Sequence, residues 1–149
     1  MATIKGGTKL EAALKALADK VAKPATLRVG FLEKATYPDG KPVAMIAAIQ
    51  DYGAPKAGIP PRPFFRNMVA AKSKEWPAAI AALLKANAMD AVKTLKLTGD
   101  AIAGQLRQSI IDTNDPPLAP ATIARKGHSK PLIDTGHMWQ SVDYEVKAT

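Results

Sequence analysis

Eight of the twelve prolines in this 149-residue chain fall in two short windows, residues 53–63 and 112–131. Proline has no backbone N–H and holds φ near about −65°, so it neither donates to a strand ladder nor sits inside a helix. It also pushes the preceding residue toward extended backbone. The longer regular elements are therefore expected outside these windows. The first reads as Gly53-Ala54-Pro55-Lys56-Ala57-Gly58-Ile59-Pro60-Pro61-Arg62-Pro63, a loop. The second holds Pro116, Pro117, Pro120, Gly127 and Pro131, with one helical turn expected at 121–125. Twenty residues without an obvious element are unusual in a compact domain unless the loop has a function.

Outside the windows the periodicities are clear. Leu10, Leu14, Leu17 and Val21 fall on one stripe of a helix over 8–22, with Thr8 and Glu11 as a capping box and Pro24 beyond its end. Leu27, Val29 and Phe31 alternate over 26–32, as in a strand with one covered face. Tyr37 to Lys41 is a turn by its residue types. Pro42 then opens a helix from Val43 to Tyr52, apolar on most sides and so expected to be buried, with Tyr52 packed at its end and Gly53 at the C′ position.

A helix starts at Phe64 and is broken near Trp76, with Pro77 in the first turn of the next one. Helix formers then continue from Ala78 to Ser109, with one expected break at Thr98-Gly99. A short helix follows Thr135, and Asp143 to Lys147 alternates as a closing strand. Leu97-Thr98-Gly99 and Asp134-Thr135-Gly136 look like one capping solution used twice, with Thr at or just ahead of the N-cap. The fold class expected is α+β: a small antiparallel or mixed sheet against several helices, with two long proline-rich loops, in one domain over 1–149.

Composition narrows the chemistry. The length suits one domain with a real core. Hydrophobic residues make up 47% but aromatics only 5%, so that core is built of Ala, Leu, Ile and Val. There is no cysteine, which excludes disulfides and thiolate metal sites and fits a reducing compartment. His128 and His137 are too few for an all-histidine zinc site. No secretory leader is expected, because the first residues lack an apolar stretch. Nothing is expected to span a membrane, because no run of eighteen apolar residues occurs. Net charge is +8. Residues 1–75 carry 13 Lys and Arg against 6 Asp and Glu, a net +7, and residues 76–149 carry 8 against 7, a net +1. That bias points to an acidic neighbour, nucleic acid or protein.

Asp134-Thr135-Gly136 after Leu132-Ile133 matches the signature of aspartic proteases. That chemistry needs two carboxylates sharing a proton. The chain has one such triplet, followed by His137, Met138 and Trp139 rather than a small residue, so a capped turn is the better reading. Asp134 and His137 lack a nucleophile context for acid–base work, and His128 reads as a solvated loop residue. No phosphate loop, metal-spaced cluster or nucleotide fingerprint appears, so no cofactor is expected.

Ile59-Pro60-Pro61-Arg62-Pro63-Phe64-Phe65-Arg66 is the other unusual stretch. Two Phe beside two Arg would suit single-stranded nucleic acid. The simpler reading anchors Phe64 and Phe65 in the core and sends Arg62 and Arg66 to solvent, a neighbouring subunit or DNA. Trp76, Trp139 and Tyr52 read as packing residues.

Two segments carry a family resemblance. Val43 to Gly53 followed by Ile59 to Arg66 resembles the helix ending in aromatic-Gly, then Pro-Arg-Pro-Phe, of tailed-bacteriophage neck and tail-completion proteins. Pro117 to Thr122, Lys126-Gly127, Lys130-Pro131-Leu132 and Asp134 to Val142 are similar to the closing region of the same group. Together they cover about 43–66 and 117–146, in the family's order. The resemblance implies a non-enzymatic virion protein at the head–tail junction, assembled in the bacterial host cytoplasm. It implies a homo-oligomeric ring around the DNA channel, six subunits favoured over twelve, joining connector to tail tube. Genomic DNA would be met non-specifically in the channel, without a membrane. Arg62, Phe64, Phe65, Arg66, Arg125, Lys126 and Lys130 are the expected subunit or channel contacts. A sheet of two strands would be covered by helices or completed by a neighbour. The alternatives are a tail-terminator ring capping the tube and, in another class, a free basic DNA-binding protein.

Overall fold

The computed structural model describes residues 7–148. Their order is α1 (Gly7–Val21), β1 (Ala25–Phe31), α2 (Val43–Tyr52), a 3-10 turn (Pro55–Ala57), α3 (Phe64–Lys72), α4 (Trp76–Ala86), α5 (Ala91–Asp112), α6 (Pro120–Lys126), α7 (His137–Gln140) and β2 (Val142–Ala148). The fold is α+β.

The two strands, more than a hundred residues apart in sequence, pair antiparallel from Ala25↔Ala148 to Phe31↔Val142. The alternation sets which residues share a face. Leu27 with Val146, Val29 with Tyr144 and Phe31 with Val142 lie on the side covered by α5. Thr26, Arg28, Asp143, Glu145 and Lys147 lie on the other, where Arg28 meets its cross-strand partner Glu145 at 3.4 Å. Two strands alone are marginal in water; the 22-residue α5 lying across them supplies the missing cover.

The core gathers Val43 and Ala47 of α2, Phe64 and Met68 of α3, and Ile102, Ala103, Leu106 and Ile110 of α5, closed by Leu132, Met138 and Val142. Phe64 meets Phe31 edge-on, with ring centroids 6.4 Å apart. Trp76 and Trp139 pack against this core as partly buried side chains, as expected. The Trp76 indole also donates to Gln105 Oε1 at 2.9 Å.

Several sequence expectations need correction. The helical run from 78 to 109 breaks at residues 87–90, not at Thr98-Gly99. Ala88 and Met89 both take positive φ, 50° and 62°. Asp90 then caps α5 by accepting from Lys93 N at 2.9 Å. Thr98 and Gly99 are buried in mid-helix. Thr98 Oγ1 donates back to Thr94 O at 2.9 Å. Gly99 is small because a Cβ there would lie 2.4 Å from the Tyr144 ring.

Thr135 is not a cap either. It is exposed, and the residue ahead of α7 is Gly136, at φ 82°, with no side-chain cap. The two Thr-Gly pairs therefore do different work. Gly7 is already helical, so Thr8 and Glu11 lie inside α1 rather than boxing its end. α2 is buried only along Val43, Ala47 and Asp51; Met45 is 47% exposed and Tyr52 66%, so neither packs inside. The loop at 53–63 is ordered by the 3-10 turn and an Ala54–Ile59 bridge.

No residue of α1 is buried. Its predicted stripe of Leu10, Leu14, Leu17 and Val21 exists, and all four side chains face solvent.

Candidate functional site

The two proline-rich loops, far apart in sequence, face each other. With the turn at Tyr37–Lys41 they enclose a cleft of about 660 Å³. Backbone hydrogen bonds set its first wall. Gly53 ends α2 with its N–H on Ile49 O, and at φ 78° a Cβ there would meet Pro61 N at 2.8 Å. Glycine is the residue that lets the chain double back so tightly. Arg62 N then donates to Gln50 O at 2.8 Å.

Asp51 holds the far end of this wall. Asp51 is 3% exposed, on the last turn of α2. It accepts from Phe65 N at 2.9 Å, from Arg66 N at 3.4 Å and from Arg66 Nε at 2.6 Å. Arg66 Nη2 adds a bond to Asp51 O at 2.7 Å. α3 has Pro63 at its N-cap and no side-chain cap of its own, so Asp51 supplies the N-terminal acceptor from the preceding helix. Sequence reasoning passed over Asp51; the signal was a lone acid in an otherwise apolar helix.

The second wall is tied by lysines. Lys126 Nζ donates to Lys130 O and Pro131 O, each at 3.2 Å, and Lys130 Nζ donates to Ile111 O at 3.1 Å. Lys130 N reaches His128 Nδ1 at 3.3 Å, so His128 is a half-buried loop brace rather than a solvated side chain. At the end of this loop His137 Nε2 meets Thr36 O at 2.8 Å, and its ring lies 4.8 Å from that of Tyr37. Arg62 joins the two walls through Nε to Pro116 O at 3.0 Å.

The expected contact residues therefore separate. Arg62 is 4% exposed and Phe64 1% exposed, so neither offers an outer surface. Phe64 is a core anchor because its carbonyl and ring are both engaged, the carbonyl by Ser109 Oγ at 2.7 Å. Phe65 is half-buried and packs at the core edge. Arg66 is committed to Asp51, with its guanidinium 4.4 Å over the Tyr52 ring, although about half its side chain stays exposed. Lys126 and Lys130 serve loop carbonyls. Arg125 is exposed and, among the described residues, forms no ion pair or side-chain hydrogen bond.

Electrostatics in the cleft follow from this packing. Burial pushes the Arg62 guanidinium below its ordinary pKa. Burial also lowers that of Lys126, reinforced by Arg125 and Arg62 and opposed by Asp134. Tyr37 is raised by burial, then by Asp134 and Asp39. Asp39 is lowered chiefly by hydrogen bonds from Lys41. Among the described residues no group of three His, Asp or Glu side chains could hold a metal ion, and no helix is long and apolar enough to cross a membrane.

No protein-family model, curated protein or solved structure matches the chain.

Proposed function

We propose that this chain is a structural subunit of a tailed-phage head–tail junction, a neck or tail-completion protein, acting as a ring around the DNA channel. The observation that carries this reading is α1. A fifteen-residue helix with an apolar stripe and no buried residue is half of an interface. A neighbouring subunit that covers it in a head-to-tail manner makes a heterologous contact, the kind that closes into rings. The resemblance adds a second support. Its two segments, 43–66 and 117–146, lie far apart in sequence yet jointly line one cleft and one core.

The burial of Arg62 and the engagement of Arg66, Lys126 and Lys130 remove four of the expected contact residues from a phosphate-binding set. A free DNA-binding protein needs cations available to replace counterions along the phosphates. Passage of DNA through a ring asks only for a positive lumen without sequence readout, with which the net charge of +8 is compatible.

Cryo-electron microscopy of the assembled particle tests this. The expected result is α1 seated on an adjacent subunit in a closed ring at the neck. A particle in which α1 and both proline-rich loops sit on the outer surface, touching nothing, refutes it. Tight, salt-sensitive DNA binding by the isolated chain would instead favour the free DNA-binding alternative.

A further inference from the structure

We propose that the cleft between the proline-rich loops receives a carboxylate side chain, carried on an extended, apolar-flanked peptide segment of a partner protein. The residue that points to this is Arg62. It is 4% exposed, lines the cleft, and spends only Nε on the chain, at Pro116 O. Among the described residues its terminal nitrogens have no hydrogen-bond acceptor, and no carboxylate lies within 4.0 Å of it. Neither terminal nitrogen is fully enclosed, so both can be reached from the cleft, and a guanidinium with two free nitrogens offers the planar fork that fits a carboxylate.

The acids of the cleft do not fill this role. Asp39 is held by Lys41 at 3.1 Å, and Asp134 forms no ion pair among the described residues. Lys126 lies on the facing wall and Arg125 on the exposed side of α6, so the positive field extends outward from Arg62.

The rest of the lining selects peptide over nucleic acid. Ile46, Ile59, Leu118 and Met138 give apolar subsites beside the guanidinium. The cleft is in the size range of pockets that take a few side chains. Strand binding asks for free aromatic planes, and the one aromatic of the lining, Tyr37, already lies against the His137 ring, 4.8 Å away and tilted by 35°. This inference rests on the head–tail junction reading and deepens it by naming a partner chemistry for the cleft. Its test uses the isolated full chain, so its failure is separate from failure of the ring, which is judged on the particle.

The test is titration of the 15N-labelled chain by NMR with an N- and C-capped Leu-Glu-Leu peptide. The expected result is saturable shifts of the Arg62 Nε–Hε signal and of the Ile59 and Leu118 amides. The capped Leu-Gln-Leu peptide should bind roughly tenfold more weakly, the loss expected for a charge-assisted bidentate pair. Inorganic phosphate and oligothymidylate should not reproduce the shifts. Arg62→Lys should weaken the Leu-Glu-Leu response. Because Arg62 also holds Pro116, Ala119→Trp serves as a second variant. Ala119 is an exposed residue of the lining, and a tryptophan there should block the cleft with the fold intact. Equal binding of the Gln peptide, an equal response to phosphate or oligothymidylate, or undiminished binding by Ala119→Trp overturns the proposal.

Discussion

Gly99 and Gly104 sit five residues apart in α5, and replacing each by alanine should move stability in opposite directions. Helix propensity treats them alike: glycine inside a helix costs about 1 kcal/mol relative to alanine. The surroundings differ. A Cβ on Gly104 meets nothing within 4 Å, and the position is exposed. A Cβ on Gly99 would lie 2.4 Å from Tyr144 Cδ2, 2.5 Å from Tyr144 Cγ and 3.0 Å from Leu27 Cδ1. Tyr144 Cγ sits next to the strand backbone and cannot swing aside as the tip of a flexible chain would. Relief requires α5 and β2 to separate, and overpacking of this kind costs roughly 1–3 kcal/mol. Subtracting the propensity gain leaves Gly99→Ala destabilised by about 1 kcal/mol, while Gly104→Ala gains roughly 0.5–1 kcal/mol. Urea unfolding followed by circular dichroism reads both, as shifts in midpoint at unchanged slope. Gly99→Ala matching the gain of Gly104→Ala would refute the close approach of α5 to β2.

Asp51→Ala removes three acceptor contacts from a buried carboxylate and leaves α3 without its N-terminal acceptor; a loss of about 2–3 kcal/mol is expected in the same urea assay, with Phe65 amide exchange accelerated. Thr135→Ala should change stability by less than about 0.5 kcal/mol, because Thr135 is exposed and caps nothing. Gly136→Ala should cost roughly 1–2 kcal/mol, because φ is 82° and its Cβ would meet Trp139 Nε1 at 3.0 Å; equal effects of the two changes would contradict the Gly136 corner. Tyr37 has a raised pKa in the fold, so the folded state holds its phenolic proton longer than the unfolded chain does. Its contribution is intact below the ordinary value of 10.0 and is lost as pH rises above it. Tyr37→Phe should therefore lose less stability than the wild type between neutral and strongly alkaline pH, and parallel alkaline limbs would count against a buried Tyr37.

Local signals were readable where the cause was local. Pro42 and Gly53 bracket α2, and its bounds emerge as expected from the sequence, Val43 to Tyr52. Pro77 sits in the first turn of α4, and both strands lie where alternation puts them. What escaped notice depends on partners distant in sequence. Gly99 looks like a helix breaker until Tyr144, forty-five residues on, is set against it. Ala88 and Met89 are helix formers that are driven to positive φ where α4 gives way to α5, and the only local hints were Asn87 and Asp90. Arg62 lies among prolines that suggest an exposed loop, yet its burial comes from Pro116, fifty-four residues away. The site was half legible for the same reason: the sequence named both loops but could not show that they share a cleft, nor that Asp51 organises one side of it.

The bare helix at the front of the chain has a consequence for timing. A fifteen-residue helix with no buried residue sits close to the helix–coil midpoint in water. Its amides should exchange far faster than those of α5, and a protease should cut within it first. Any protein that covers the leucine stripe must therefore also hold the helix formed, and part of the association energy goes into that ordering. Such a contact is weak while encounters are few and firm once several neighbours are engaged at once. Under the ring assembly proposed above, copies of this chain would stay dispersed until a template gathers them.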